Sequence, residues 1–261
     1  MDKKTTSRDG TSVAYGRTGQ GPAVILVSGA MSTGATVAPL AALLSDRFGA
    51  ITYDRRGRGG SGDTAPYSVA REVEDLAALI DAAGGEASLY GISSGGALVL
   101  EAAASGLPVR RVAVYEVPFA VHEGGAKERA QYTERLTEAL GNGRRGDAVE
   151  LFLRLTGLAE EMIQGARQSP MWTGMEAIAP SLAYDNAVMG DGLVPRARLA
   201  SIGVPVLSVA GAASPAWLRE AARAVAETAP RGTYRSLEGQ THMVDPHALA
   251  PVLAEFFSSA P

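Results

Sequence analysis

Gly91-Ile92-Ser93-Ser94-Gly95 spells G-x-S-x-G, a spacing suited to one chemistry above others: nucleophilic attack by the serine hydroxyl. Neither glycine carries a Cβ, so a chain turning sharply between them can hold the Ser93 side chain out toward a substrate. A serine hydroxyl is a poor nucleophile near neutral pH and needs a base to take its proton as it attacks. Histidine is best poised for that exchange, and the chain has three, His122, His242 and His247. With 31 glycines among 261 residues, the pattern arises by chance often enough that its surroundings must carry the case.

Those surroundings are strand, sharp turn, helix. The run 87–92 is apolar and leads into Ser93, and the helix-forming run 94–105 leads out, stopped by Gly106 and Pro108. Upstream, Ser12 to Thr18, the unbroken apolar run Ala23 to Val27, and Ala50 to Tyr53 read as strands. Helical spacing appears over 36–48 and again over 69–83, where Val73, Leu76, Ala77 and Ile80 share one face and Gly84-Gly85 ends the helix. Arg111 to Val117 is a further strand. This alternation predicts a mainly parallel sheet covered by helices on both faces.

From Phe119 to Leu199 the texture changes. Helical periodicity runs through 126–140, 146–155 and 158–168 with no convincing strand, so an all-helical insertion is expected there. Strand and helix then alternate again, over 204–209, 216–228, 233–237 and 246–257. The chain therefore reads as a core of residues 1–118 and 200–261 interrupted by a helical cap, 119–199, with a fraying tail, Ser258-Ser259-Ala260-Pro261.

Composition narrows the chemistry. A net charge of -4 offers no basic field for nucleic acid. The absence of cysteine excludes disulfides, thiolate catalysis and cysteine-bound zinc. The three histidines lack metal-ligand spacing, so neither a metal nor a cofactor is expected. A polar start without an apolar signal core, and no apolar run long enough to cross a bilayer, make a cytoplasmic protein without a membrane partner the default expectation.

The order of elements, the turn at Ser93 and the late His242 together resemble the α/β-hydrolase family over nearly the whole chain. The resemblance implies an eight-stranded sheet with Ser93 as nucleophile after the fifth strand and His242 as base after the eighth. It also implies an oxyanion hole built from the backbone N–H groups of Ser94 and Ala30, the latter in the loop Ser28-Gly29-Ala30-Met31 after the third strand. Here Ser28-Gly29 replaces the more usual His-Gly, which leaves backbone donors available. The turn after the seventh strand, Gly211 to Pro215, lacks the acid many members carry there. Other members place it at the end of the sixth strand, where this chain has Glu116, the expected partner of His242. Asp54-Arg55-Arg56-Gly57 looks like the family's D-x-R-G segment, which braces loops near the site and carries no catalytic role.

The resemblance thus implies a cofactor-independent serine hydrolase acting on an ester or similarly activated acyl bond of a small apolar molecule. A carbon-carbon bond hydrolase or a cofactor-free perhydrolase of the haloperoxidase-like kind uses the same residues, and a ligand-binding member with slow turnover keeps the same pocket. A dehalogenase needs a carboxylate nucleophile, which Ser93 is not. Met162, Met171, Trp172, Met175 and Met189 either line an apolar pocket in the cap or pack its helices.

Overall fold

The computed structural model describes residues 1–259, so the expected fraying at Ala260 and Pro261 lies outside the described residues. Its sheet has eight strands: β1 (Lys3–Thr6), β2 (Ser12–Thr18), β3 (Ala23–Val27), β4 (Gly49–Tyr53), β5 (Ala87–Ile92), β6 (Val109–Tyr115), β7 (Val206–Gly211) and β8 (Gly232–Leu237). They lie in the order β1-β2-β4-β3-β5-β6-β7-β8. The pairs β1–β2 and β2–β4 are antiparallel, and every pairing from β4 across to β8 is parallel.

β3 shows why the centre is parallel. All five residues of Ala23-Val24-Ile25-Leu26-Val27 are buried, as expected where helices cover both faces of a strand. Ile25 and Val27 share one buried cluster with Leu76, Leu79 and Ile80 of α2 (Val69–Ala83) and Leu98 and Val99 of α3 (Ser94–Ala104), and the same cluster continues over β7 and β8 to Ala221 and Val225 of α10 (Ala216–Thr228). The alternate residues Val24 and Leu26 face Leu40 and Leu44 of α1 (Ala38–Leu44) and Leu249 and Leu253 of α11 (Pro246–Ser258). Each such buried leucine stabilises the fold by roughly 1.5–3 kcal/mol. α2 stops at Gly84, whose φ of 116° no other residue adopts cheaply, with its N–H bonded back to Asp81 O.

Between β6 and β7 the chain is helical: α4 (Glu123–Gly141), α5 (Arg145–Leu155), α6 (Glu160–Arg167), α7 (Trp172–Ile178), α8 (Leu182–Met189) and α9 (Arg196–Ala200). An isolated parallel bridge joins Ala120, ahead of α4, to Leu193, between α8 and α9. Among the described residues no helix is long and apolar enough to cross a membrane.

The topology creates a crevice. β3 and β5 are neighbours, yet α1 leaves β3 over one face and α3 leaves β5 over the other, so the loops at their carboxyl ends diverge. The loop 28–32 and Ser93 both lie at those ends.

Candidate active site

Ser93 sits between β5 and α3 at φ 56° and ψ -128°, a backbone conformation that a residue with a side chain adopts only under strain. The neighbours make it possible. A Cβ on Gly91 would overlap the Gly95 carbonyl, and one on Gly95 would overlap the carbonyl oxygens of Val27 and Ser28. The turn is held by the Ser93 N–H, which donates to Tyr115 O (3.0 Å), while the Ser93 carbonyl accepts from Gly96 N (2.9 Å) as α3 begins. Ser93 is only partly buried.

β6 delivers the second group. Ile92 is in register with Tyr115, so Glu116, the next residue, emerges beside Ser93 at the same end of the sheet. Glu116 is fully buried and has φ 44°. Its N–H donates to Val209 O (3.0 Å), and its Oε1 accepts from Gly211 N (2.8 Å), so the end of β7 fixes both the backbone and the carboxylate of this residue. The remaining oxygen, Oε2, lies 2.9 Å from Nδ1 of His242.

His242 rides on a loop after β8 that is held independently of this contact. Tyr115 donates its hydroxyl to Thr241 O (2.6 Å), Ala213 N donates to Gln240 O (3.0 Å), and a Cβ on Gly211 would overlap the Gln240 carbonyl. The structure thus brings His242 and Glu116 together. Between Ser93 Oγ and His242 there is no hydrogen bond among the described residues; such contacts commonly tighten only around a bound substrate. Neither of the other histidines approaches this arrangement: His122 is exposed at the start of α4, and His247 is exposed in the first turn of α11. Asp245 instead caps α11, accepting from His247 N (2.8 Å).

The loop 28–32 closes the crevice. Gly29 packs against Ser93 so closely that an added Cβ would lie 3.1 Å from the Ser93 Cβ. Met31 has φ 52° and packs its side chain against the inserted helices, touching the cluster around Tyr132, Leu136 and Leu182 and that around Val149 and Trp172. The N–H groups of Ala30 and Ser94 have no acceptor among the described residues.

Beneath this loop lies a buried ion network in which Arg55 braces the loops as the sequence suggests, while its carboxylate partners were missed by sequence reasoning. Arg55 pairs with Glu72 through two bonds of 2.8 Å and with Asp185 Oδ1 at 2.7 Å. Arg58 Nη2 donates to Asp185 Oδ2 (2.6 Å), and Arg58 Nη1 donates to Gly29 O (2.7 Å) and Ser32 O (3.2 Å). The Ser94 hydroxyl donates to Asp185 Oδ1 (2.8 Å). Burial works against ionisation of Asp185, but Arg58 and Arg55 outweigh it and hold the carboxyl below the usual aspartate range. Asp54 braces the loops as the sequence suggests, accepting from Gly34 N and Gly60 N. No local sequence signal marks Asp185, since a lone carboxylate on a short helix reads as a solvated residue.

The apolar residues singled out in the insertion do not share one pocket. Met162 and Met171 are exposed, Trp172 and Met175 pack with Val149 and Ala179, and Met189 belongs to the main core.

The chain belongs to the alpha/beta hydrolase family, which it matches over residues 24–254. It is 52% identical to an alpha/beta hydrolase from Sphaerobacter thermophilus DSM 20745, covering 98% of this chain and 100% of that one with a TM-score of 0.89. It also shares its fold with a thermophilic esterase from Thermogutta terrifontis, at 22% identity over 98% of this chain and 97% of that one (TM-score 0.73). An enol-lactonase from Burkholderia xenovorans LB400 is similar to the same degree, at 22% identity over 98% and 100% of the two chains (TM-score 0.70).

Proposed function

We propose that this protein is a cofactor-independent serine hydrolase that cleaves an ester or similarly activated acyl bond of a small, mainly apolar molecule. The observation that carries the reading is the 2.9 Å contact between His242 Nδ1 and the buried Glu116. An imidazole that donates Nδ1–H to a carboxylate is fixed in the tautomer whose Nε2 is free to accept a proton, and the imidazolium formed during attack is stabilised by the adjacent negative charge.

In this reading Ser93 Oγ attacks the acyl carbon as His242 Nε2 takes its proton. The developing oxyanion is met by the N–H groups of Ala30 and Ser94 and by the positive end of α3. Collapse of the tetrahedral intermediate breaks the bond to the leaving group, which departs with the proton from His242. Water, activated by the same imidazole, then releases the acid and restores Ser93. The helices of residues 119–199 serve as a cap domain over the core of 1–118 and 200–261 and restrict the substrate to a small molecule.

A fluorophosphonate probe together with p-nitrophenyl esters of graded chain length tests this. Rapid labelling and ester turnover, both lost in Ser93→Ala, are expected. A folded protein that neither labels nor turns over any of the esters would remove the proposal.

A further inference from the structure

The Asp185 carboxylate reaches both elements that carry the proposed oxyanion donors, although it comes from α8 in the insertion and stands 91 residues beyond Ser94 in sequence. We propose that Asp185 is a positioning residue of the oxyanion hole, through which the inserted helices set the geometry of the Ala30 and Ser94 N–H groups; this rests on the reading of those groups as oxyanion donors.

Two linkages make the case. The first is direct: Asp185 Oδ1 accepts the Ser94 hydroxyl at 2.8 Å, which fixes the side chain of the residue whose backbone N–H begins α3. The second runs through Arg58, whose Nη2 bonds Asp185 Oδ2 while its Nη1 donates to Gly29 O at 2.7 Å. In a trans peptide the carbonyl and the following N–H point in opposite directions. Drawing the Gly29 carbonyl toward Arg58 therefore turns the Ala30 N–H to the far side of that peptide. A charged donor on the carbonyl also polarises the peptide and strengthens its N–H as a donor.

The carboxylate is itself held in place. Tyr184, its neighbour on α8, stacks on Tyr67 with ring centroids 3.8 Å apart, and the Tyr67 hydroxyl donates to Glu72 Oε1 (2.8 Å), the partner of Arg55. Arg55 bonds Asp185 Oδ1 as well, so the carboxylate cannot rotate toward one linkage without losing the other. Arg55 and Arg58 are buried completely. Simple packing would be served as well by apolar side chains, because burying charges costs much of what pairing them returns. Polar groups at these positions are accounted for by what they orient.

Three variants test the proposal: Asp185→Asn, which removes the charge at nearly constant shape, Ser94→Ala, which removes the hydroxyl but keeps the backbone N–H, and the two combined. Each should lower kcat for a p-nitrophenyl ester about tenfold or more with little change in KM, since the affected donors act chiefly on the transition state. Affinity for a phenylboronic acid, which forms a tetrahedral adduct on the serine, should fall by a similar factor. The double variant should be scarcely worse than Asp185→Asn. Lower thermal stability with kcat and boronate affinity unchanged in the folded protein would overturn the proposal. Should Asp185→Asn fail to fold, an unchanged kcat in Ser94→Ala would overturn it equally. If the wild-type protein neither labels nor hydrolyses, the serine-hydrolase reading fails separately. The amide NMR shifts and hydrogen exchange of Ala30 and Ser94 then decide: changes in the variants support the positioning role, and identical values refute it.

Discussion

Oε2 of Glu116 lies 2.9 Å from Nδ1 of His242, and the other oxygen of that carboxylate is taken by Gly211 N. The division of labour between the two oxygens leads to a sharp expectation for Glu116→Gln. The amide retains a carbonyl that satisfies Gly211, so the fold should persist. The charge and the acceptor that select the Nδ1–H tautomer are lost, and a comparable substitution of a triad acid costs about 10⁴ in kcat. Steady-state ester kinetics beside a circular-dichroism melt will measure this, and full activity in a folded Glu116→Gln would remove Glu116 from its proposed role.

Ser93→Ala and His242→Ala should each abolish nearly all hydrolysis, with the double variant hardly worse than either. Groups that act in one proton transfer lose their joint effect at the first removal. Independent, multiplying losses in the three kcat values would mean that the two residues do not cooperate.

The strain at Ser93 leads to a stability prediction of opposite sign to the loss of activity. A non-glycine residue at φ 56° and ψ -128° costs about 1–3 kcal/mol, whereas glycine adopts that conformation freely and gives back roughly 0.5–1 kcal/mol through its larger unfolded-state entropy. Ser93→Gly should therefore be inactive yet more stable than the wild-type chain by about 1 kcal/mol, read as an upward shift in the urea midpoint.

Sequence reasoning reached much of this arrangement where local chemistry leaves a mark. The apolar run Ala23 to Val27 and the glycines around Ser93 are such marks, because burial on both faces and a turn at positive φ each restrict residue type. β1 was not legible: Lys3-Lys4-Thr5-Thr6 carries no apolar residue, and the strand exists through its backbone ladder to β2, from Lys3 opposite Tyr15 to Thr6 opposite Ser12. The helix expected over 36–48 is shorter. A tight helical turn occupies Gly34–Val37, α1 spans Ala38–Leu44, and Phe48 is buried beyond its end. In the insertion, α7, α8 and α9 have five to eight residues each, too few turns for a periodicity to emerge. Glu116 was found only by way of the family resemblance. Asp185 was out of reach, because its partners Arg55, Arg58 and Ser94 meet it only once the chain has folded.

The same carboxylate gives the protein an expected acid sensitivity. With its folded-state pKa held below the usual aspartate value of about 3.9, Asp185 binds a proton less readily in the folded protein than in the unfolded chain. Its charge therefore contributes stability that is fully present above about pH 4 and is lost as the pH falls through the lower folded-state value. Asp185→Asn lacks that term at every pH and leaves the buried Arg58 guanidinium without its carboxylate partner, while Arg55 keeps Glu72, so it should be destabilised by about 3–5 kcal/mol near neutrality. As the pH falls below about 4, protonation removes the advantage of the wild-type carboxylate, and the two stability curves should converge. Urea unfolding of both proteins at pH 7, 5 and 3 measures the gap. A gap that stays constant or widens toward pH 3 would show that the Asp185 charge is not what the arginines stabilise.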